Sequence, residues 1–231
     1  MSVALDRLVA EVDAVLLDFD GPVCSIFAGY PAPKIAAELV AVLQRMGASM
    51  PPALTDEQDP LEVLRWTGST GNQAITRAVE DALCAAELRA VESATPTRYG
   101  REVIVAAHQA DLSVAVVSNN SAGAVTAYLA RHRLAAYVSP VVGRAYADPM
   151  RMKPNPEPIL RATQLLGVSP ARSVLVGDSL SDIEGSRAAG VRSVGYANRP
   201  TKADFFRGAG ADVVIDSMGK LAEALIANTD S

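Results

Sequence analysis

The sequence predicts an α/β fold: a doubly wound parallel sheet with helices on both faces and a helical cap domain inserted after the first strand. Two observations carry this. Short Val/Ile/Leu runs recur at residues 14–17, 114–117, 138–142, 173–176, 192–195 and 213–215, and segments with helical spacing lie between most of them, at 123–132, 157–166, 182–189 and 221–227. Strands that alternate with helices imply a parallel sheet buried on both sides. The second observation is where the rhythm breaks. Residues 24–99 show helical patterns at 35–46, 61–66 and 72–91 and no strand pattern, and the stretch is too long for an ordinary connection. It therefore reads as an insert over the carboxyl end of the first strand. Gly21, Pro22 and residues 95–100 would be its hinges, and residues 1–23 with 100–231 the core.

Composition narrows the function. With 231 residues, 49% hydrophobic and 20% charged, the chain can bury a real core and is not a disordered segment. A net charge of −5 speaks against nucleic-acid binding, which needs a basic face. The two cysteines, Cys24 and Cys84, make no disulfide framework and point to a reducing compartment, with the cytoplasm as the expected location. The first twenty residues carry acids through their apolar stretch and do not read as a signal peptide. No run is long enough for a membrane span.

In a doubly wound sheet, ligands sit at the carboxyl ends of the strands, so those ends are where chemistry is expected. The first strand runs into Asp18-Phe-Asp20-Gly21. Two carboxylates two residues apart can hold a divalent cation or attack an electrophile, although an acidic turn has the same letters. The second runs into Ser118-Asn119-Asn120-Ser121, donors that suit either a phosphate oxygen or a helix cap. Lys153 precedes Pro-Asn155-Pro156, where Asn155 fits a helix N-cap and Pro156 the first helical position. The prolines thus have a structural explanation that the lysine does not share. A fourth strand ends in Gly177-Asp178-Ser179, with Asp182 one helical turn on. Capping accounts for Ser179 and Asp182 but not for Asp178.

Taken together and in this order, Asp18-x-Asp20-Gly21, Ser118, Lys153 and Gly177-Asp178-x-x-x-Asp182 resemble the haloacid dehalogenase superfamily over essentially the whole chain. The resemblance implies a Rossmann-like core with a helical cap. It implies Asp18 as nucleophile, Asp20 as general acid and base, Ser118 as phosphate ligand with Asn119 beside it, and Lys153 as the cation at the reacting centre. It further implies Mg²⁺ held by Asp18, the backbone oxygen of Asp20 and Asp178, with Asp182 as a ligand or a support. Dehalogenases of the superfamily resemble one another in lacking the second aspartate, so Asp20 argues for phosphate chemistry on a small phosphorylated metabolite.

Two rivals stand beside a phosphatase. A phosphomutase of the β-phosphoglucomutase type shares the core motifs and would hand the phosphoryl group to a sugar hydroxyl, and a non-catalytic module would retain the fold alone. His108 and His132 match no metal pattern and read as packing or surface residues. Trp66 reads as core of the insert, Arg65 and Arg77 as solvent-exposed, and Cys24 as lacking a base. Oligomeric state is not readable from the sequence.

Overall fold

The computed structural model describes residues 3–229. Along the chain run α1 (Val3–Ala10), β1 (Ala14–Leu17), β2 (Cys24–Ser25), α2 (Ala32–Arg45), α3 (Pro52–Thr55), α4 (Pro60–Ser69), α5 (Gln73–Val91) and β3 (Thr95–Pro96). There follow α6 (Gly100–Gln109), β4 (Ser113–Val117), α7 (Ala122–Arg131), β5 (Val141–Val142), α8 (Glu157–Leu166), β6 (Ser173–Gly177), α9 (Leu180–Ala189), β7 (Arg192–Tyr196), α10 (Lys202–Ala209), β8 (Val213–Ile215) and α11 (Met218–Thr229).

Six strands form one sheet in the order β5-β4-β1-β6-β7-β8, and every neighbouring pair is parallel. Its centre is apolar on both faces because alternate side chains point opposite ways. Val15, Leu17, Val114, Val116, Val174 and Val176 pack on one side with residues of α1, α6, α7 and α11. Leu16, Ala115, Val117 and Leu175 pack on the other with Ile159 and Ala162 of α8 and Ala189 of α9. The doubly wound parallel sheet expected from the sequence is therefore present.

Between β2 and β3 the helices α2, α4 and α5 share a separate apolar cluster built on Ile35, Leu39, Leu43, Val63, Leu64, Val79 and Leu83. Asp59 caps α4 through Leu61 N, and Asn72 caps α5 through Ala74 N and Ile75 N. The carboxyl end of α5 leaves this cluster: Ala90 and Val91 belong to the core of the sheet.

Two expectations need correction. The segment from 24 to 99 does contain strand: β2 and β3 pair antiparallel, Cys24 opposite Pro96 and Ser25 opposite Thr95. Two residues on each side leave no periodicity to read. The expected strand at 138–142 shrinks to Val141–Val142, because Pro140 has no N–H to extend a ladder, although its carbonyl accepts from Val116 N. Among the described residues no helix is long and apolar enough to cross a membrane.

Candidate active site

Strand order places β1 between β4 and β6, with Leu17 opposite both Val116 and Val176. The residues that follow these three strands therefore emerge side by side at the carboxyl edge, where open α/β sheets bind their ligands. Asp18 is anchored by its N–H donating to Val176 O at 2.9 Å, and its carboxylate accepts from Phe19 N at 2.7 Å. Asp18, Asp178 and Asp182 each offer a carboxylate oxygen, and all three atoms lie within 4.8 Å of one another.

Lys153 sits against this group and is 1% exposed. Its Nζ lies 3.0 Å from Asp18 Oδ1, donates to Asp182 Oδ1 at 2.6 Å and donates to Val117 O at 2.8 Å. Its backbone is held as well: the N–H donates to Asn119 Oδ1 at 2.8 Å, and the carbonyl accepts from Asn119 Nδ2 at 3.2 Å and Arg65 Nη2 at 2.7 Å. Both polar atoms of the Asn119 side chain are thus turned to Lys153. Asn155 Oδ1 accepts from Glu157 N, and Pro156 already has helical dihedrals (φ −71°, ψ −14°), so Asn155 caps the turn that Pro156 opens, as read from the sequence.

Close packing fixes two glycines here. Gly21 has φ +109°, and a Cβ on it would stand 2.4 Å from Cγ of Asp178; a Cβ on Gly177 would stand 2.2 Å from Cγ of Asp182. The remaining groups have distinct partners. Both oxygens of Asp182 are engaged, Oδ1 by Lys153 and Oδ2 by the N–H and hydroxyl of Ser179 at 3.1 and 2.6 Å. Asp178 Oδ2 accepts from Asn198 Nδ2 at 2.8 Å and Lys202 Nζ at 2.7 Å. Asp20 Oδ1 accepts from Ile26 N at 3.0 Å, and Ser118 Oγ donates to Asn120 Oδ1 at 3.1 Å.

Burial shapes the titration of the site. It pushes the Asp18 carboxyl up to about 7, with the charge of Asp182 adding and Lys153 opposing. It pushes Asp20 up to about 6 against the pull of the Ile26 N–H. For Lys153 burial acts downward, but Asp18 and Asp182 outweigh it and hold the ammonium above its ordinary value. The carboxylates of Asp18, Asp178 and Asp182, offering hard oxygen donors within 4.8 Å of one another, suit a small divalent cation such as Mg²⁺.

A cleft of about 250 Å³ opens over these groups, closed on the far side by Phe27 and by Asp59, Leu61, Glu62 and Arg65 at the start of α4. Arg65 therefore corrects the sequence reading: it is half-buried, lines the cleft and bonds Lys153, whereas Arg77 is exposed as expected. Trp66 packs on the insert cluster, and His132 stacks on Tyr128 at 4.1 Å between ring centroids. The partners of Asp178, Asn198 and Lys202, were not foreseen; nothing in their spacing distinguishes them from surface residues.

A parallel α/β sheet with acids and a buried lysine gathered at its central strand ends defines a class, that of the haloacid dehalogenase-like hydrolases. The sequence family of that description matches residues 62–196, and the chain belongs to it. Among curated proteins it is 34% identical over 124 residues to a phosphoglycolate phosphatase of Salmonella typhi, which is 54% of this chain and 48% of that protein. It is 32% identical over 114 residues to a phosphoglycolate phosphatase of Escherichia coli (strain K12), 49% and 44% of the two chains. The matches thus span about half the length of these relatives. Among solved structures, a HAD family hydrolase from Deinococcus radiodurans R1 with bound phosphate and sodium superposes with TM-score 0.62 at 24% identity, covering 95% of this chain and 97% of that one. A Had-superfamily hydrolase from Ehrlichia chaffeensis does so with TM-score 0.58 at 17% identity, covering 94% and 98%. At these identities the structures show a shared fold.

Proposed function

We propose that this protein is a Mg²⁺-dependent phosphatase that cleaves a small phosphate monoester through an aspartyl-phosphate on Asp18. The observation that carries the reading is the buried Lys153 ammonium 3.0 Å from Asp18, inside a group of acids at adjacent strand ends. A structural lysine has no need of so costly a position, whereas an anionic nucleophile that must meet an anionic phosphoryl group does need a fixed cation.

Asp18 attacks phosphorus as the ester oxygen departs, and Asp20 gives that oxygen its proton. Asp20 then takes a proton from the water that cleaves the aspartyl-phosphate, which returns both carboxyl groups to their starting states. Ser118 binds a phosphoryl oxygen, Lys153 offsets charge on Asp18 and the phosphoryl group, and Asn119 acts by holding Lys153. Mg²⁺, bound by the carboxylates of Asp18 and Asp178 and the backbone oxygen of Asp20, would neutralise phosphoryl charge. We assign Asp182 to the support of Lys153, since both of its oxygens are already engaged.

The test is phosphate release from a panel of monoesters with Mg²⁺ or EDTA. Release that EDTA abolishes is expected; sugar-phosphate isomerisation without free phosphate would replace this reading with the mutase. The panel also resolves the leaving group. The curated relatives carry the name phosphoglycolate phosphatase, but in this cleft the guanidinium of Arg65 is paired with Glu62 and bonded to Lys153 O, and Asp59 adds negative charge. Glycerol phosphate should therefore exceed phosphoglycolate in kcat/KM by about fivefold, the scale of one exposed charge contact, and the reverse order would refute the charge argument.

Asp20 supplies a pH prediction. Burial raises this carboxyl to about 6, and it must carry a proton to serve the leaving oxygen, so kcat/KM for an alkyl phosphate should fall as pH rises through that value. An aryl phosphate, whose leaving group needs no proton, should lack this limb. Identical profiles for the two esters would remove Asp20 from the acid role.

A further inference from the structure

A buried ion network joins the insert to the loop after β4, and the chemistry above does not use it. Arg144, two residues beyond β5, donates from Nε to Glu80 Oε1 at 2.8 Å and from Nη1 to Glu87 Oε1 at 2.6 Å, with side-chain exposures of 0%, 1% and 0% for Arg144, Glu80 and Glu87. The two acids lie two turns apart on α5, yet they differ in what else they hold. Glu80 Oε2 has no hydrogen-bond partner among the described residues. Both oxygens of Glu87 are engaged by the loop: Oε1 also accepts from Asn120 Nδ2 at 3.1 Å, and Oε2 accepts from Ser121 N at 2.9 Å.

Arg144 Nη1 adds a bond to Asn119 O at 3.0 Å, so residues 119, 120 and 121 are gripped in succession. Asn120 passes the constraint on. Its N–H donates to Ser118 Oγ at 3.1 Å and its Oδ1 accepts from that hydroxyl at 3.1 Å. Because Glu87 takes the amide nitrogen, the carbonyl end of Asn120 is the one that faces Ser118.

We propose that Glu87, set by Arg144, is a positioning residue that holds residues 120 and 121, and with them the Asn120 N–H that fixes Ser118 Oγ, while the single hydroxyl proton turns from Asn120 Oδ1 to a phosphoryl oxygen as phosphate binds, which makes α5 part of the phosphate-binding loop's support. The inference rests on the assignment of Ser118 to phosphate. Its test measures binding of inorganic phosphate to the full chain by calorimetry with Mg²⁺ present, alongside turnover and thermal unfolding. Glu87→Gln should weaken phosphate binding about tenfold, the effect of hydrogen bonds to a charged partner, with half-saturating Mg²⁺ unchanged because no metal-facing carboxylate is in the network. Glu80→Gln is the control: it also loses a partner of Arg144 and stability, but should leave phosphate binding as in the wild type. Asn120→Ala keeps the backbone N–H on Ser118 Oγ and frees the hydroxyl proton, so it should not weaken phosphate binding, whereas Arg144→Lys, which loses the fork that sets Glu87, should weaken it as Glu87→Gln does.

Phosphate binding that is unchanged in Glu87→Gln, or equally weakened in Glu80→Gln, overturns the proposal. If Glu87→Gln does not fold, Arg144→Lys decides, and unchanged binding there overturns it. Glu87-dependent phosphate binding without turnover of any ester would defeat the phosphatase reading alone, and wild-type protein that binds no phosphate would defeat both.

Discussion

Asp18→Asn is expected to abolish turnover and, without metal, to make the protein more stable. The first effect follows from loss of the nucleophile and should be at least about 10⁴-fold in kcat. The second follows from burial, which pushes the Asp18 carboxyl up to about 7. An unfolded chain releases that proton near pH 4, so ionisation opposes folding increasingly from there to about pH 7 and fully above it. Asparagine carries no such cost, although Lys153 loses one of its two acidic partners. A net gain of about 2 kcal/mol at pH 8 is therefore expected, and a smaller one at pH 5. Thermal unfolding in EDTA at the two pH values measures it. A variant less stable than wild type at pH 8 would show that the Lys153 contact outweighs desolvation.

Lys153→Met has the opposite sign. It removes the ammonium from Asp18, Asp182 and Val117 O at once and leaves two buried acids without their cation. The cost should be about 3–5 kcal/mol in denaturant unfolding, the penalty of breaking a buried ion pair from one side. Turnover should fall about 10³-fold, since a fixed charge at the reacting centre is lost. Added Mg²⁺ should raise the melting temperature of the variant more than that of the wild type, because the uncompensated acids gain more from a cation. Equal stability of variant and wild type in EDTA would mean that the acids are not charged in the native state.

How much of this was legible in the sequence depended on the kind of signal. The central strands β1, β4 and β6 are buried on both faces, so they appear as plain apolar runs, and the residues that follow them could be picked out by position. β5 could not be bounded, because Pro140 is apolar in pattern yet donates no hydrogen bond. Asp18, Lys153, Asp178 and Asp182 were placed by the order of the motifs, and the structure brings them together. Asn119 was read beside Ser118 as a phosphate ligand, but the contact that occupies its amide is with the backbone of Lys153, thirty-four residues away. No local pattern encodes that. Glu80 and Glu87 did leave a trace: they are acids within the same helical stripe as Val79, Leu83 and Ala86, where an unpaired carboxylate would be too costly to bury. Their cation, Arg144, lies in a loop and can be found only in three dimensions.

The antiparallel contact of β2 with β3 has a consequence for exchange of the insert. Because the chain leaves the core at Cys24 and returns opposite it at Pro96, with Thr97 N bonded to Val23 O, the seventy-odd residues between form a closed excursion on a single stem. A tight turn joining that stem would break no hydrogen bond of the six-stranded sheet, although it would remove Ile26, Ala90 and Val91 from the core. A graft of a different helical module there would keep the strand-end carboxylates and lose the hold of Glu87 on residues 120 and 121. A transplanted module would therefore need its own buried acid facing Arg144, a requirement that an exchange designed on the stem alone would miss.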